Sequence, residues 1–541
     1  MRSAASLGWL LVMVLVPWAS MGGGSAQAGD AVSAVPVAGR VAATASHIPD
    51  CRLAGYEYGS SADIFATAPR VRIADYGAVA DDGGDDTHAI AAALLAAEAI
   101  QPVVLEFPVG TLQVASAIAI DRSGILLRGM GRGSSTIAFT RPLKDVYDDL
   151  GAEWSFRGGL IWFGSSLRML PANSASSPEH VIPIAQPPPH RSFVIDDAQR
   201  GNQLIEGSTT MIALDAEHRR GVRASATAGI WVPAAISVRG SAALADHILG
   251  MKGFDWTKTS MLERGQMRFP DWTEVRFDRT MTRLELRKPL RVYAPGARVF
   301  IDHAPRIRLR CGIEGMTLAM PPHPRAGHLL DPGWNGIMFE RVGHGLVRDV
   351  ALINVDNGII LEDSWNVTVS DLRMAGQGHH HALSFRQSHD NLVTRFEIRS
   401  RSFHGLSTQD LSAGNVWSDG VLHGGTFDSH LGMPFDSIRT RIVLKQPRGR
   451  PGGDIEAGPY QGRRMVHWDI QVDTSELSDK ERRRAAEWIF APDYHPMGVL
   501  AGITGIDRFS TPRPWSMPIG ASASTVILQD TKGVRPPCPR Q

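Results

Sequence analysis

Five residues, each set one place before a recurring small or apolar position, form a polar column: Asn335, Asn357, His381, His404 and His430. The segments that follow them are Gly336-Ile337-Met338-Phe339, Gly358-Ile359-Ile360-Leu361, Ala382-Leu383-Ser384-Phe385, Gly405-Leu406-Ser407-Thr408 and Leu431-Gly432-Met433-Pro434. Their offsets are 22, 24, 23 and 26 residues. Imidazole titrates near neutrality, so it both donates and accepts protons. Three imidazoles in one column could supply a general base and a general acid. The opposing reading is an internal stack of hydrogen-bonded histidines that only fills a ladder. His380 and Asp428 lie beside the column and tilt the balance toward chemistry. Arg386, five residues beyond His381, could grip a carboxylate with its paired N–H fork. It could equally be a solvated surface arginine, or pair with Glu362 of the preceding repeat. The expected catalytic group is therefore His381, His404, His430 and Arg386, with His380, Asn357, Glu362 and Asp428 as substrate contacts.

The elements that must hold this column are short alternating strands. A second column, Leu346, Val367, Leu392, Val416 and Ile438, supports the first, and Asn366, Asn391 and Asn415 precede three of its members. A period in the twenties means a solenoid whose coils stack like neighbouring strands, about 4.8 Å apart. A recurring asparagine suits a corner ladder, because its amide bonds both neighbours and it tolerates the left-handed bend. The LxxLxLxxN spacing of a leucine-rich repeat is absent. The pattern predicts an all-β, right-handed parallel β-helix.

Toward the N-terminus, Val71-Arg72-Ile73 reads as a strand and Ala89 to Ala99 as a helix capped by Asp86 or Thr87. Val103 to Phe107 is a strand ending at Pro108-Val109-Gly110, and strands follow near Ile118 to Ile120 and Ile125 to Leu127. The motifs Asp75–Ala78, Asp81–Ile90, Phe107–Leu112 and Gly129–Thr136 occur here in order. Together they resemble the N-terminal part of the pectate-lyase-like superfamily, with Leu112 in place of the usual aromatic. The resemblance implies a helix-capped β-helix; these motifs build its cap and first coils and carry no catalytic residue. The region from Cys311 to Ile442 also resembles a group of exported β-helix proteins. That likeness rests on Gly312–Gly315, Gly327–Leu329, Asn335–Ile337, Val347–Val350, His380-His381, Gly414–Val416 and Asp428–His430 with Pro434. It implies a shared site around the histidine column and names no reaction.

The expected organisation is a signal peptide (1–28), a leader (29–70), a cap with first coils (71–144), an irregular insertion or side module (145–300), central coils (301–446) and a C-terminal loop, short helix and closing strands (447–541). Arg2, the apolar run Leu7 to Val16 and the small-residue site Ala26-Gln27-Ala28 read as a secretory signal. A secreted or periplasmic protein is expected, with no membrane span after cleavage. Three cysteines, Cys51, Cys311 and Cys538, allow one bridge and one free thiol, with the pairing open. Lys and Arg total 56 against 55 Asp and Glu, a net charge of +1, which argues against a nucleic-acid binder. His379 and His381 share a strand side, but no third ligand at metal spacing is evident, so no metal site is expected. No cofactor is expected; the resemblance allows calcium, yet the repeat holds no dense Asp cluster.

These features lead to a monomeric polysaccharide-degrading enzyme, first a lyase. β-Elimination needs a uronate carboxylate neutralised, for which Arg386 is placed, and a base and acid drawn from His381, His404 and His430. The alternative is a glycoside hydrolase, which needs two carboxyl groups about 5–5.5 Å or about 6.5–9.5 Å apart. Its candidates are Asp428, Asp436, Glu362 and Asp410. The paired-Asp and Gly-His-Gly pattern of polygalacturonase-like hydrolases does not occur at matching positions; His344-Gly345 is a partial echo. A non-catalytic carbohydrate-binding solenoid is the third reading.

Overall fold

The computed structural model describes residues 47–60, 63–147, 154–164, 167–169, 181–183, 192–195, 206–208, 211–213, 229–262, 267–280, 282–302, 307–325, 327, 329–448, 452–453, 455–489, 495–506, 526–528 and 538. The expected signal peptide, most of the leader and Pro187-Pro188-Pro189 lie outside these residues.

The chain folds as a right-handed parallel β-helix. One long sheet runs from Arg70–Arg72 through Val103–Glu106, Ile125–Arg128, Cys311–Ala319, Leu346–Val355, Leu392–Ile398, Val416–His423 and Ile438–Lys445 to Val499–Ala501. A second sheet stacks Ile118–Ile120, Ile161–Phe163, Ile337–Glu340, Ile359–Glu362, His381–Arg386, His404–Gln409 and Phe427–Ser429 in that order. A narrow third face consists of single bridges linking Gly343, Trp365, His389, Ala413 and Phe435. Alternate residues of each strand fill the lumen, as the two-residue period of a strand requires. Ile337, Phe339, Leu361, Leu383, Phe385 and Leu406 are all almost fully enclosed. Phe163 stacks on Phe339 at 4.9 Å and Phe385 on Trp417 at 4.5 Å.

The chain turns corners at residues in the left-handed region, again in columns. One runs Arg341, Asp363, Gln387 and Asp410, with φ of 53°, 50°, 43° and 50°. Another runs Asn366, Asp390, Gly414 and Asp436, with φ of 52°, 55°, 72° and 50°. Asp and Asn accept this conformation at lower cost than most residues because their short polar side chains bond locally.

Three readings of the repeat are corrected. Thr368, not Val367, stands in register with Leu346 and Leu392. Asn366 occupies the left-handed corner beside Asp390, while the asparagine ladder is Asn391 and Asn415. Asn391 Oδ1 accepts from Val367 N at 2.9 Å, and Asn415 Oδ1 accepts from Asn391 N at 3.1 Å and from its Nδ2 at 2.9 Å. In the last repeat the strand is Phe427–Ser429, whose Phe427 pairs with Leu406. His430 therefore follows that strand rather than preceding one, and Leu431-Gly432-Met433-Pro434 is not a strand. A serine ladder went unread: Ser364, Ser388 and Ser412 each accept, through Oγ, from the backbone N–H of the preceding coil at 3.1 Å.

At the N-terminal end, the cap helix is Thr87–Ala96, starting earlier than expected. The Asp86 carboxylate does not cap it; it accepts from Val79 N at 2.9 Å and Gln113 N at 3.1 Å, tying the cap to the first coils. The side module is not irregular. Strands Ser192–Ile195, Met211–Ala213, Trp231–Gly240, Met267–Phe277, Arg283–Leu286 and Arg298–Asp302 form an antiparallel sheet, and helix Ala242–Leu249 packs on it. Ile161–Phe163 belongs to the β-helix, between Ile118–Ile120 and Ile337–Glu340. The module is fastened to the third face: Trp272 stacks on Trp365, and Lys288 bridges Asp271 and Asp390 at 2.6 Å each. Cys51 is bonded to Cys538, and Cys311 is a buried free thiol. Near the C-terminus Ser478 and Glu481 bond each other reciprocally at the start of helix Asp479–Ile489. Among the described residues no helix is long and apolar enough to cross a membrane.

The ladder makes a direct prediction. Asn415→Ala strands the buried N–H of Asn391 and the carbonyl of Ser388. Chemical denaturation is expected to show a loss of about 2–3 kcal/mol.

Candidate functional site

The histidine column sits at the entry to the second sheet, under a cover made by residues 154–158. Asn335 Nδ2 donates to the carbonyls of Trp154 (2.9 Å), Arg157 (3.0 Å) and Gly158 (3.1 Å). Asn357 Nδ2 donates to Trp154 O and Ser155 O at 3.2 Å each and to Asn335 Oδ1 at 3.0 Å. The two asparagines thus hold the cover down. Asn357 is enclosed and cannot contact a substrate as expected. Its Oδ1 accepts instead from His381, from N at 3.1 Å and Nδ1 at 3.3 Å. His380 Nδ1 points to Ser155 O at 2.8 Å, with Asp331 Oδ2 3.7 Å away. Glycines follow three column members for lack of room: a Cβ on Gly336 would overlap Gly358 O, one on Gly358 would overlap Ala382 O, and one on Gly405 would overlap Thr426 O.

The structure brings His381, His404, Asp428 and His430 into one cluster. His381 and His404 stack at 4.8 Å, and His430 meets His404 edge-on at 4.4 Å. His430 arrives from beyond its strand rather than through the column. Asp428 faces outward from Phe427–Ser429; its Oδ2 accepts from Ser407 Oγ at 2.7 Å and lies 3.2 Å from His404 Nδ1 and 3.3 Å from His430 Nδ1. His381, His404 and Asp428 are at most 2% exposed, and the His430 side chain is 12% exposed. Gly453 closes over His430, its N–H donating to His430 O at 2.5 Å. Burial, reinforced by the neighbouring imidazoles, pushes His381 well below the usual histidine range. Burial alone would raise Asp428, but His404 and His430 beside it hold its carboxyl well below the usual carboxylate range.

His379 and His381 part company. His379 turns to Asp356, whose Oδ1 lies 2.5 Å from His379 Nδ1 and 2.9 Å from His323 Nε2. Asp356 Oδ2 accepts from Gly333 N (3.1 Å) and Trp334 N (2.8 Å), which completes its bonding. Metal-type donors that spacing around the histidine pair did not reveal come together in the fold. His381 shares its surroundings with donors of two later coils, and His323–Asp356–His379 is a second group. Calcium fits poorly: it needs six to eight oxygens, and the corner aspartates Asp371 and Asp419 are bound by Arg395 and Arg441.

Arg386 lies on the open rim of the same sheet, and it is not a free carboxylate clamp. Its Nε donates to Asp410 Oδ2 at 3.2 Å; burial would lower its pKa, but Asp410, Glu362 and Asp363 raise it. The expected partner Glu362 is thus secondary to Asp410. Asp436 is excluded as a catalytic carboxyl: it is 1% exposed and gripped by Arg464 at 2.7 and 2.6 Å. Sequence reading missed Asp363, whose side chain is 19% exposed and 3.8 Å from Arg341. Burial and Glu362 push its carboxyl up to about 6. Burial also raises Asp410, against the pull of Arg386. The signal for Asp363 was its place after Glu362, in the same left-handed corner column as Asp410.

No protein-family model and no curated relative matches the chain. Among solved structures, a tailspike protein of Pseudomonas phage LKA1 is 13% identical with a TM-score of 0.41, over 74% of this chain and 64% of the tailspike. The Yersinia enterocolitica Family 28 exopolygalacturonase is 10% identical with a TM-score of 0.34, over 83% and 68%. The DFA-IIIase of Arthrobacter chlorophenolicus is 10% identical with a TM-score of 0.36, over 86% and 93%. This chain therefore spans less than two thirds of the tailspike's length. The architecture stands on the chain's own strand pairing.

The Asp356 group sets a pH window. Burial would raise Asp356, but His323, His379 and the Trp334 N–H lower it, so its contribution is present above the unfolded carboxylate value and lost as pH falls. Burial would lower His323, but Asp356 raises it, so its contribution is full below the unfolded imidazole value and lost as pH rises. Both are complete between about pH 4 and 6.5. Melting temperature against pH is expected to show an excess over Asp356→Asn that is greatest in that window.

Proposed function

We propose that this chain is an exported, glycan-active enzyme of the hydrolase type, working on the open rim of the second sheet. The observation that supports this most is the Asp363 carboxyl, raised to about 6 and solvent-accessible, in one corner column with Asp410. Two coil steps separate their backbones, roughly 9.6 Å along the stack. That backbone spacing lies near the upper end of the carboxyl separation of an inverting hydrolase, about 6.5–9.5 Å. In this reading Asp363 protonates the leaving oxygen, because a carboxyl near 6 keeps its proton close to neutrality. Asp410 activates the water, and Arg386 keeps its charge in place. The rim repeats its polar groups coil by coil, which suits an extended chain lying across the coils. Export is supported by the Cys51–Cys538 bridge, since disulfides persist outside the reducing cytosol.

β-Elimination is the second reading, and one observation favours it. His430 is the one cluster histidine that reaches the surface, and it stands near Asp410. It would serve as base if Arg386 exchanged Asp410 for a substrate carboxylate. The enclosed His381 and His404 do not serve this role.

New reducing ends from a panel of neutral and acidic glycans are the expected product, with no rise in unsaturated-uronate absorbance. Asp363→Asn, checked for folding by circular dichroism, is expected to lower the rate by about 100-fold or more. The wild-type rate is expected to fall as pH rises through about 6, as the Asp363 proton is lost. Unsaturated products that vanish in His430→Ala establish elimination instead. Binding without turnover on any glycan makes the chain a carbohydrate-binding solenoid.

A further inference from the structure

We infer that His381, His404, Asp428 and His430 form a binding site for one first-row divalent transition-metal ion of the zinc class, stapling three successive coils.

The first argument is geometric. One donor atom of each residue lies within 4.8 Å of a donor atom of each of the others. A tetrahedral ion with bonds of about 2.0–2.1 Å places its donors about 3.3–3.4 Å apart. Two of the edges already have that length: His404 Nδ1 to Asp428 Oδ2 at 3.2 Å and His430 Nδ1 to the same oxygen at 3.3 Å. The remaining donor atoms lie within 4.8 Å of one another.

The second argument is the state of the donors. His381 Nε2 and Asp428 Oδ1 are buried without a hydrogen-bond partner, and His404 Nδ1 and His430 Nδ1 both face the single oxygen Asp428 Oδ2. Buried polar groups are normally paired one to one, so unmet groups crowded into one small volume point to a ligand. The contacts behind them are not random in kind. Asn357 Oδ1 accepts a hydrogen bond from His381 Nδ1, which leaves Nε2 as the lone-pair nitrogen of that ring. Ser407 Oγ donates to Asp428 Oδ2, which holds the carboxylate in place. These are the supporting contacts that orient metal ligands from behind.

The donor set names the class of ion. Three imidazoles and one carboxylate, with no thiolate, suit zinc and its first-row neighbours; a hard cation would require more oxygens. Four protein donors in an enclosed cluster describe a closed structural site, distinct from the rim carboxyls above. His323–Asp356–His379 carries no such inference, because both Asp356 oxygens are already satisfied.

The test uses the full chain stripped with a chelator and titrated with Co2+, then Zn2+. The expected result is one equivalent of Co2+ with visible bands of four-coordinate nitrogen–oxygen ligation and no thiolate charge transfer. Zn2+ displaces it and raises the melting temperature. His430→Ala and Asp428→Asn are expected to lose the bands, while His323→Ala keeps them. Should the ligand variants misfold, the wild-type titration still decides: no stoichiometric metal and no melting shift overturns the site. Bands that survive in His430→Ala and Asp428→Asn, or that disappear in His323→Ala, overturn it as well.

Discussion

Every coil of this molecule satisfies its backbone through the coils on either side of it. That constraint governs the rest. Residues at one level must share one environment, because a side chain's neighbours are its counterparts about 4.8 Å above and below. Apolar levels become the Phe163–Phe339 and Phe385–Trp417 stacks. Polar levels become ladders, where the Asn391–Asn415 and Ser364–Ser388–Ser412 chains bond the N–H groups that the corners release. Corner levels become left-handed columns of Asp, Asn and Gly.

The same constraint separates the two chemical features of the second sheet. At its entry, histidines and an aspartate are pressed together beneath the cover formed by residues 154–158 and Gly453. Low exposure there, with three imidazoles around one carboxylate, makes a good set of metal donors and a poor reception for a polymer. At its exit, the corner column presents Asp363 and Asp410 to solvent with Arg386 between them. Partial burial raises both carboxyls without sealing them off. In the reading proposed above, enclosure suits one end of the strand to ligation and the other to proton transfer.

The solenoid was legible because its period recurs in residue type: a glycine where coils approach too closely for a Cβ, an apolar pair facing the lumen, an asparagine at a corner. Errors arose where two residue types compete for one role. Asn366 looked like a ladder asparagine, but asparagine also serves the left-handed corner, and there Asp390 and Gly414 are its equivalents. The last repeat was misaligned because Phe427–Ser429 is short and Gly432 resembled a coil glycine. The side module was unreadable as a sheet, since antiparallel strands far apart in the chain leave no common period.

The sequence by itself determined the parallel β-helix, its capping helix and the stacking of His381 on His404; His430 reached them from a repeat whose alignment the sequence pattern misplaced. Local periodicity and residue type suffice for the first three, because each coil only repeats its neighbour. Tertiary structure alone decided which groups are open and which are committed. It buried the histidine column under a distant segment, bound Arg386 to Asp410 and left Asp363 at the rim. Burial and charge pairing depend on chain segments that come together from far along the sequence, and no local pattern records them.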